Sequence, residues 1–77
     1  MLREELMAFR ERLHGKEAVI FDKRLLAEER MTLQGIGDQF GVSRERIRQI
    51  ETRLKDKLRI HLEEEIEDLE MLQESFI

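Results

Sequence analysis

Apolar residues recur along this chain at helical intervals from one end to the other. Leu2, Leu6, Phe9 and Leu13 step by four, three and four positions, which makes one stripe of an amphipathic helix. His14-Gly15 reads as its stop, because glycine takes a left-handed backbone at little cost. A second helix is expected over residues 16–28, with Ala18, Phe21 and Leu25 on one face and Ile20 and Leu26 beside it. The Glu-rich stretch Ala27–Met31 reads as a loop. Thr32 can cap a short third helix running to Phe40, whose inner face is Leu33, Ile36, Gly37 and Phe40. Gly41 ends it, and after Val42 the hydroxyl of Ser43 can accept an orphan backbone N–H of the next helix.

That fourth helix is the longest. Ile47, Ile50, Leu54, Leu58, Leu62, Ile66, Leu69 and Leu72 hold one stripe. Their mean step lies near the straight-helix period of about 3.6, so a long coiled coil is not demanded. The earlier helices can cover the first half of the stripe. The second half wants the N-terminal helix, a partner or a second copy. No strand-like alternation, internal repeat or low-complexity linker interrupts the pattern. The expectation is one small all-α, four-helix domain over residues 1–77, with a helix-turn-helix at 32–59 and an acidic helical tail at 61–77.

Composition narrows the function. Charged residues make up 42% of the chain, and Cys, Pro, Trp and Tyr are absent. Without Cys there is no disulfide frame, thiolate metal site or thiol nucleophile, which fits a reducing cytoplasm. No apolar run is long enough for a membrane span, and MLREELMAFRERL lacks the core of a secretory signal. No nucleophile–base pair, phosphate loop or cofactor box is present, so neither an enzyme nor a cofactor is expected. His14 and His61 have no ligand-like sequence neighbours, and no metal site is expected either. The acids Glu63, Glu64, Glu65, Glu67, Asp68 and Glu70 read as a solvated face.

The net charge of −4 conceals a division. Residues 44–60 carry seven basic side chains against three acidic ones, whereas residues 61–77 carry seven acids and no Lys or Arg. A basic block beside an acidic one suggests a polyanion contact next to a region that avoids polyanions, although a solvated mixed-charge helix has the same composition.

Residues 32–59, TLQGIGDQFGVSRERIRQIETRLKDKLR, have the layout of a helix-turn-helix. Gly37 offers a small residue where two helices must approach, Gly41 makes the turn, and Val42 plugs the angle between them. Arg44, Glu45, Arg48 and Gln49 share the outer face of the second helix, while Ile47 and Ile50 point inward. Arg can grip the two acceptors of guanine, Gln can pair with adenine, and Glu can accept from the cytosine amino group. Arg46, Arg53, Lys55, Lys57 and Arg59 lie where they can meet phosphates, which position a protein without reading sequence.

The run Val42-Ser43-Arg44-Glu45-Arg46-Ile47-Arg48-Gln49-Ile50-Glu51, followed by Lys57-Leu58-Arg59, resembles region 4.2 of the sigma-70 family of bacterial RNA polymerase sigma factors. Thr32-Leu33-Gln34-Gly35-Ile36-Gly37 is similar to the family's first helix-turn-helix helix, and residues 16–30 correspond to region 4.1. Ile20-Phe21-Asp22 with Arg24-Leu25-Leu26-Ala27-Glu28-Glu29 looks more like the heat-shock class than the primary class. The resemblance implies a promoter-reading module that contacts the −35 element and docks on the β-subunit flap of RNA polymerase core. Arg44, Glu45 and Gln49 match its base-reading positions, Arg46 and Arg48 match backbone-contacting ones, and Thr32 and Ser43 stand at the DNA-facing helix starts. Arg53 joins that DNA set, and with Arg59 matches positions offered to transcription activators. Ala18, Phe21 and Leu25 mark the apolar patch expected to meet the flap, and an anti-sigma factor is a further partner of such domains.

Two departures stand out. Gly35 replaces the usual Glu, removing a capping-box partner for Thr32, and Asp56 replaces a commonly basic activator-facing residue. The family's regions 2 and 3 are absent, so the chain is expected to be an excised C-terminal domain. The alternative is a stand-alone helix-turn-helix regulator, or a partner-binding helical protein, that dimerises through residues 58–76.

Overall fold

The computed structural model describes the backbone of residues 2–75 and the side chains of residues 3–65. Helix α1 spans Leu2–Glu11, and α2 spans Gly15–Ile20 and runs on into a π-helical turn, Phe21–Leu25. Helix α3 spans Leu33–Phe40 and α4 spans Arg44–Ser75; among the described residues there is no strand. The 32 residues of α4, at about 1.5 Å each, account for most of the molecule's 54 Å length.

Every helix contributes to a single core of Phe9, Leu13, Ile20, Phe21, Ile36, Ile47, Ile50 and Leu54. The Phe9 and Phe21 rings sit 5.7 Å apart in a tilted pair, which ties α1 to the end of α2. Fully burying a side chain of this size contributes about 1.5–3 kcal/mol, so a core this small leaves each member important.

Three sequence expectations shift. Helix α1 stops at Glu11, ahead of the expected glycine stop, because Arg12 and Leu13 close a tighter turn onto the Phe9 and Arg10 carbonyls. Gly15 does take the left-handed backbone, φ 56°, but it opens α2. The second helix ends at Leu25, short of residue 28, in a widened turn closed by the Leu26 N–H on the Phe21 carbonyl at 2.9 Å. Ile20 and Phe21 are both completely buried there. Phe21 therefore belongs to the core, and the outward apolar patch expected of Ala18, Phe21 and Leu25 is corrected to half-buried Ala18 and Leu25 beside exposed Leu26. Leu58 and Leu62 are half-buried, and the apolar residues from Ile66 to Phe76 lie outside the described side chains.

The angle between α3 and α4 depends on Gly37. A Cβ built there meets the Val42 carbonyl oxygen at 2.7 Å, closer than real Cβ atoms come. Gly41 adopts φ 67°, and the Val42 N–H returns to the Gly37 carbonyl at 2.9 Å, so the turn folds onto the same residue. Gly37→Ala is expected to destabilise the domain by about 1–3 kcal/mol through overpacking, measured by urea unfolding; an unchanged midpoint would show that the turn yields freely.

A buried ion pair fastens the irregular segment after Leu25. The Arg24 guanidinium donates to both Glu51 carboxylate oxygens and, at 2.7 Å, to the Met31 carbonyl. Glu51 is 8% exposed on α4. Burial pushes its carboxyl upward, but the hydrogen bonds and charge of Arg24, with Lys55, more than reverse this, and the net shift is downward from 4.5. A depressed folded value means that the pair stabilises the fold above the ordinary glutamate range and ceases to as acid protonates it. Removing one partner of such a pair costs about 3–5 kcal/mol. Thermal melts of wild type and Glu51→Gln should therefore differ widely at neutral pH and converge as pH falls below 4.5; a gap independent of pH would exclude this ionisation as its source.

Candidate nucleic-acid interface

Two side-chain caps start the helices that would face DNA. The Thr32 hydroxyl accepts the Gly35 N–H at 2.9 Å, so the cap forms although Gly35 removes the usual Glu partner. The Ser43 hydroxyl accepts the Arg46 N–H at 3.1 Å at the start of α4. Each satisfies one orphan donor of a first turn.

From this capped start, burial divides α4 sharply. Ile47 is completely buried and Ile50 is 9% exposed, whereas Arg44, Glu45, Arg46, Arg48, Gln49, Thr52 and Arg53 are all exposed. The outer face is prearranged. Arg48 donates to both Glu45 oxygens, Nε at 2.9 Å and Nη2 at 2.5 Å. That hydrogen bonding, with the charges of Arg48 and Arg44, lowers the Glu45 carboxyl below its usual range, and the same bonding with the Glu45 charge raises the Arg48 guanidinium above its own. Arg46 Nη1 donates to the Gln49 side-chain oxygen Oε1 at 3.5 Å. Because the Glu45–Arg48 pair is solvent-exposed, exchanging it for base-edge contacts costs little.

Arg48, Gln49, Thr52 and Arg53 line a shallow depression on this face. Around the edge of α4 lies a second, basic one lined by His14, Lys16, Glu17, Arg46, Ile50, Arg53 and Lys57. Lys16 was not legible as part of the site: it comes from the start of α2, where its ammonium lies 5.6 Å from the Phe40 ring centre, and only packing brings it beside Arg53. Thr52 was also missed, although its place one turn after Arg48 was a signal that could have found it; its hydroxyl donates to the Arg48 carbonyl at 3.0 Å.

The later basic residues are differently engaged. Lys57 bridges to Glu17 of α2 at 2.9 Å, Lys55 lies 3.7 Å from Glu51, and Arg59 pairs with Glu63 at 3.1 Å. Lys55 and Lys57 thus pair with acids of the helix scaffold as well as adding positive charge. Asp56 is exposed between them. Leu25, Leu58 and Leu62 line an apolar hollow rimmed by Lys55, Arg59 and Glu63.

The sigma-70 region 4 family model matches residues 11–59, the span that holds every core residue but Phe9, both caps and the basic face. The chain belongs to the sigma-70 region 4 family. Region 4 is a DNA-binding regulatory domain and not an enzyme. The domain is 42% identical over 62 residues to the RNA polymerase sigma-C factor of Myxococcus xanthus, covering 80% of this chain and 21% of that one. It is 49% identical over 51 residues to the RNA polymerase sigma-B factor of the same organism, covering 66% and 21%. With the RNA polymerase sigma factor RpoH of Rhizobium radiobacter it shares 42% over 53 residues, covering 69% and 18%. The chain spans about a fifth of the length of these curated relatives. No solved structure matches it. Among the described residues, no helix of this region 4 domain is long and apolar enough to cross a membrane.

The two caps give a direct check on this face. Ser43→Ala and Thr32→Ala should each lower stability by about 1 kcal/mol, and Ser43→Ala should also speed amide exchange at Arg46. Unaltered exchange there would mean that the hydroxyl is not the partner of that N–H.

Proposed function

We propose that this region 4 domain reads the −35 element of promoters during transcription initiation, as the C-terminal part of a sigma factor that directs RNA polymerase. One observation carries the proposal: the capped start of α4 holds Arg44, Glu45, Arg48 and Gln49 outward while Ile47 and Ile50 anchor the same turns in the core. A helix presented in this way enters the major groove with its N-terminal residues toward the bases. Arg44, Glu45 and Gln49 read base edges, and Arg46, Arg48, Arg53 and Lys16 meet phosphates on either flank. Thr32 sets the α3 start toward the backbone. The acids that follow Arg59 keep the remainder of α4 away from the duplex by like-charge repulsion.

The relatives named RpoH support a heat-shock-type promoter set. Core docking falls to the face around Ala18 and Leu25, where the Leu25–Leu58–Leu62 hollow offers the β-subunit flap an apolar seat; Arg53 and Arg59 remain exposed for a neighbouring activator, and an anti-sigma factor would compete for the same surfaces. The work is done in the cytoplasm, where the promoter is.

The test is an NMR titration of the labelled domain with a −35-type duplex and with a scrambled duplex at matched salt. Shifts should concentrate in residues 43–53 only with the promoter sequence. Arg44→Ala should cost about 1–3 kcal/mol of discrimination at one base pair, whereas Arg53→Ala should weaken both duplexes alike and reduce the salt slope by about one. Equal responses to both duplexes would reduce the face to a generic polyanion patch.

A further inference from the structure

The DNA-facing reading makes no use of His61, the most buried ionisable group apart from Glu51 among the described residues. Its imidazole is 9% exposed and is held against the Phe9 ring at 5.5 Å between centres. Its Nε2 is completely buried and has no hydrogen-bond partner among the described residues. A buried nitrogen in that state costs free energy unless something satisfies it. What faces it is a pair of carboxylates. Glu5 comes across from α1, with Oε2 at 3.6 Å from Nε2, and Glu65 lies one turn further along α4. Donor atoms of all three lie within 4.8 Å of one another.

We infer that Glu5, His61 and Glu65 form a divalent-cation site that clamps α1 onto α4. The separation of Nε2 and Oε2 is too long for a hydrogen bond. It matches the edge of a tetrahedral site, about 3.4 Å for donors about 2.1 Å from a shared ion. His61 and Glu65 are four residues apart, so one helix face presents both, and Glu5 supplies the third direction from another element. One imidazole with two carboxylates suits zinc and its borderline neighbours; magnesium and calcium favour all-oxygen shells with more ligands. Three protein ligands leave the fourth position to water. The site lies on the side of α4 covered by α1, so an ion there would fix how α1 seats on α4. It stands independently of the promoter-reading proposal.

The test is titration of the chelator-treated 77-residue chain with zinc, followed by calorimetry and by the imidazole shifts of both histidines. The expected result is one zinc per chain, a raised melting temperature and shifts at His61 with none at His14. Glu5→Gln and Glu65→Gln should each weaken binding by more than about tenfold, since even loss of an outer-shell contact costs that much. His61→Gln should abolish it, and magnesium or calcium should not substitute. Glu5 is only half-buried, so its variant tests the site even if replacing His61 disturbs the fold. Absence of zinc binding, binding that survives Glu5→Gln unchanged, or an equal response to magnesium would each overturn the inference, the last by assigning the cation to acidic residues in general.

Discussion

The contact between the Gly37 backbone and the Val42 carbonyl sets everything downstream of it. With no side chain at Gly37, α3 can press against the turn until the space for a Cβ is gone. That closeness fixes where Ser43 caps α4, and so which way Arg44 and its neighbours face. It is a constraint of excluded volume, and the left-handed Gly41 lets the chain turn over the three residues between α3 and α4. The outward face at the start of α4 is therefore aimed by two glycines and a serine.

Electrostatics divides the rest of the molecule by burial. Arg24 and Glu51 are buried together, and their pairing fastens the irregular segment at Met31 to the middle of α4. Arg10–Asp22 and Lys57–Glu17 add cross-element pairs nearer the surface, worth less because water screens them. The cations at the start of α4, Arg44, Arg46, Arg48 and Arg53, stay on the exposed outer face. Further along, the sequence changes sign, residues 61–77 carrying seven acids and no Lys or Arg. Geometry and charge thus agree on one end of one helix.

Much of the fold was legible because helical periodicity is local. The stripe in α4, the caps at Thr32 and Ser43 and the glycine turn follow from side-chain spacing and from backbone chemistry within a few residues. That Arg44, Glu45, Arg48 and Gln49 share one exposed face of α4 was legible for the same reason: residues one turn apart lie on the same side of a helix. The second helix was misjudged because its π turn breaks the period on which the reading relied. Phe21 was not legible as core: an apolar stripe tells which residues share a face, and only the packing of Phe9 against it shows that it faces the core. Lys16 and Glu5 were not legible as site residues, since each meets its partners only through packing between distant elements.

By itself, then, the sequence determined that this is an all-α domain with a helix-turn-helix, and it identified which polar side chains share the outward face of α4. Those features rest on interactions between residues a turn apart, which any chain with this spacing must make. Tertiary structure alone decided that Phe21 is core, that Arg24 finds Glu51 and that His61 meets Glu5. Such pairings depend on how helices cross and on which charges burial forces together, and neither is encoded in the spacing of any one helix.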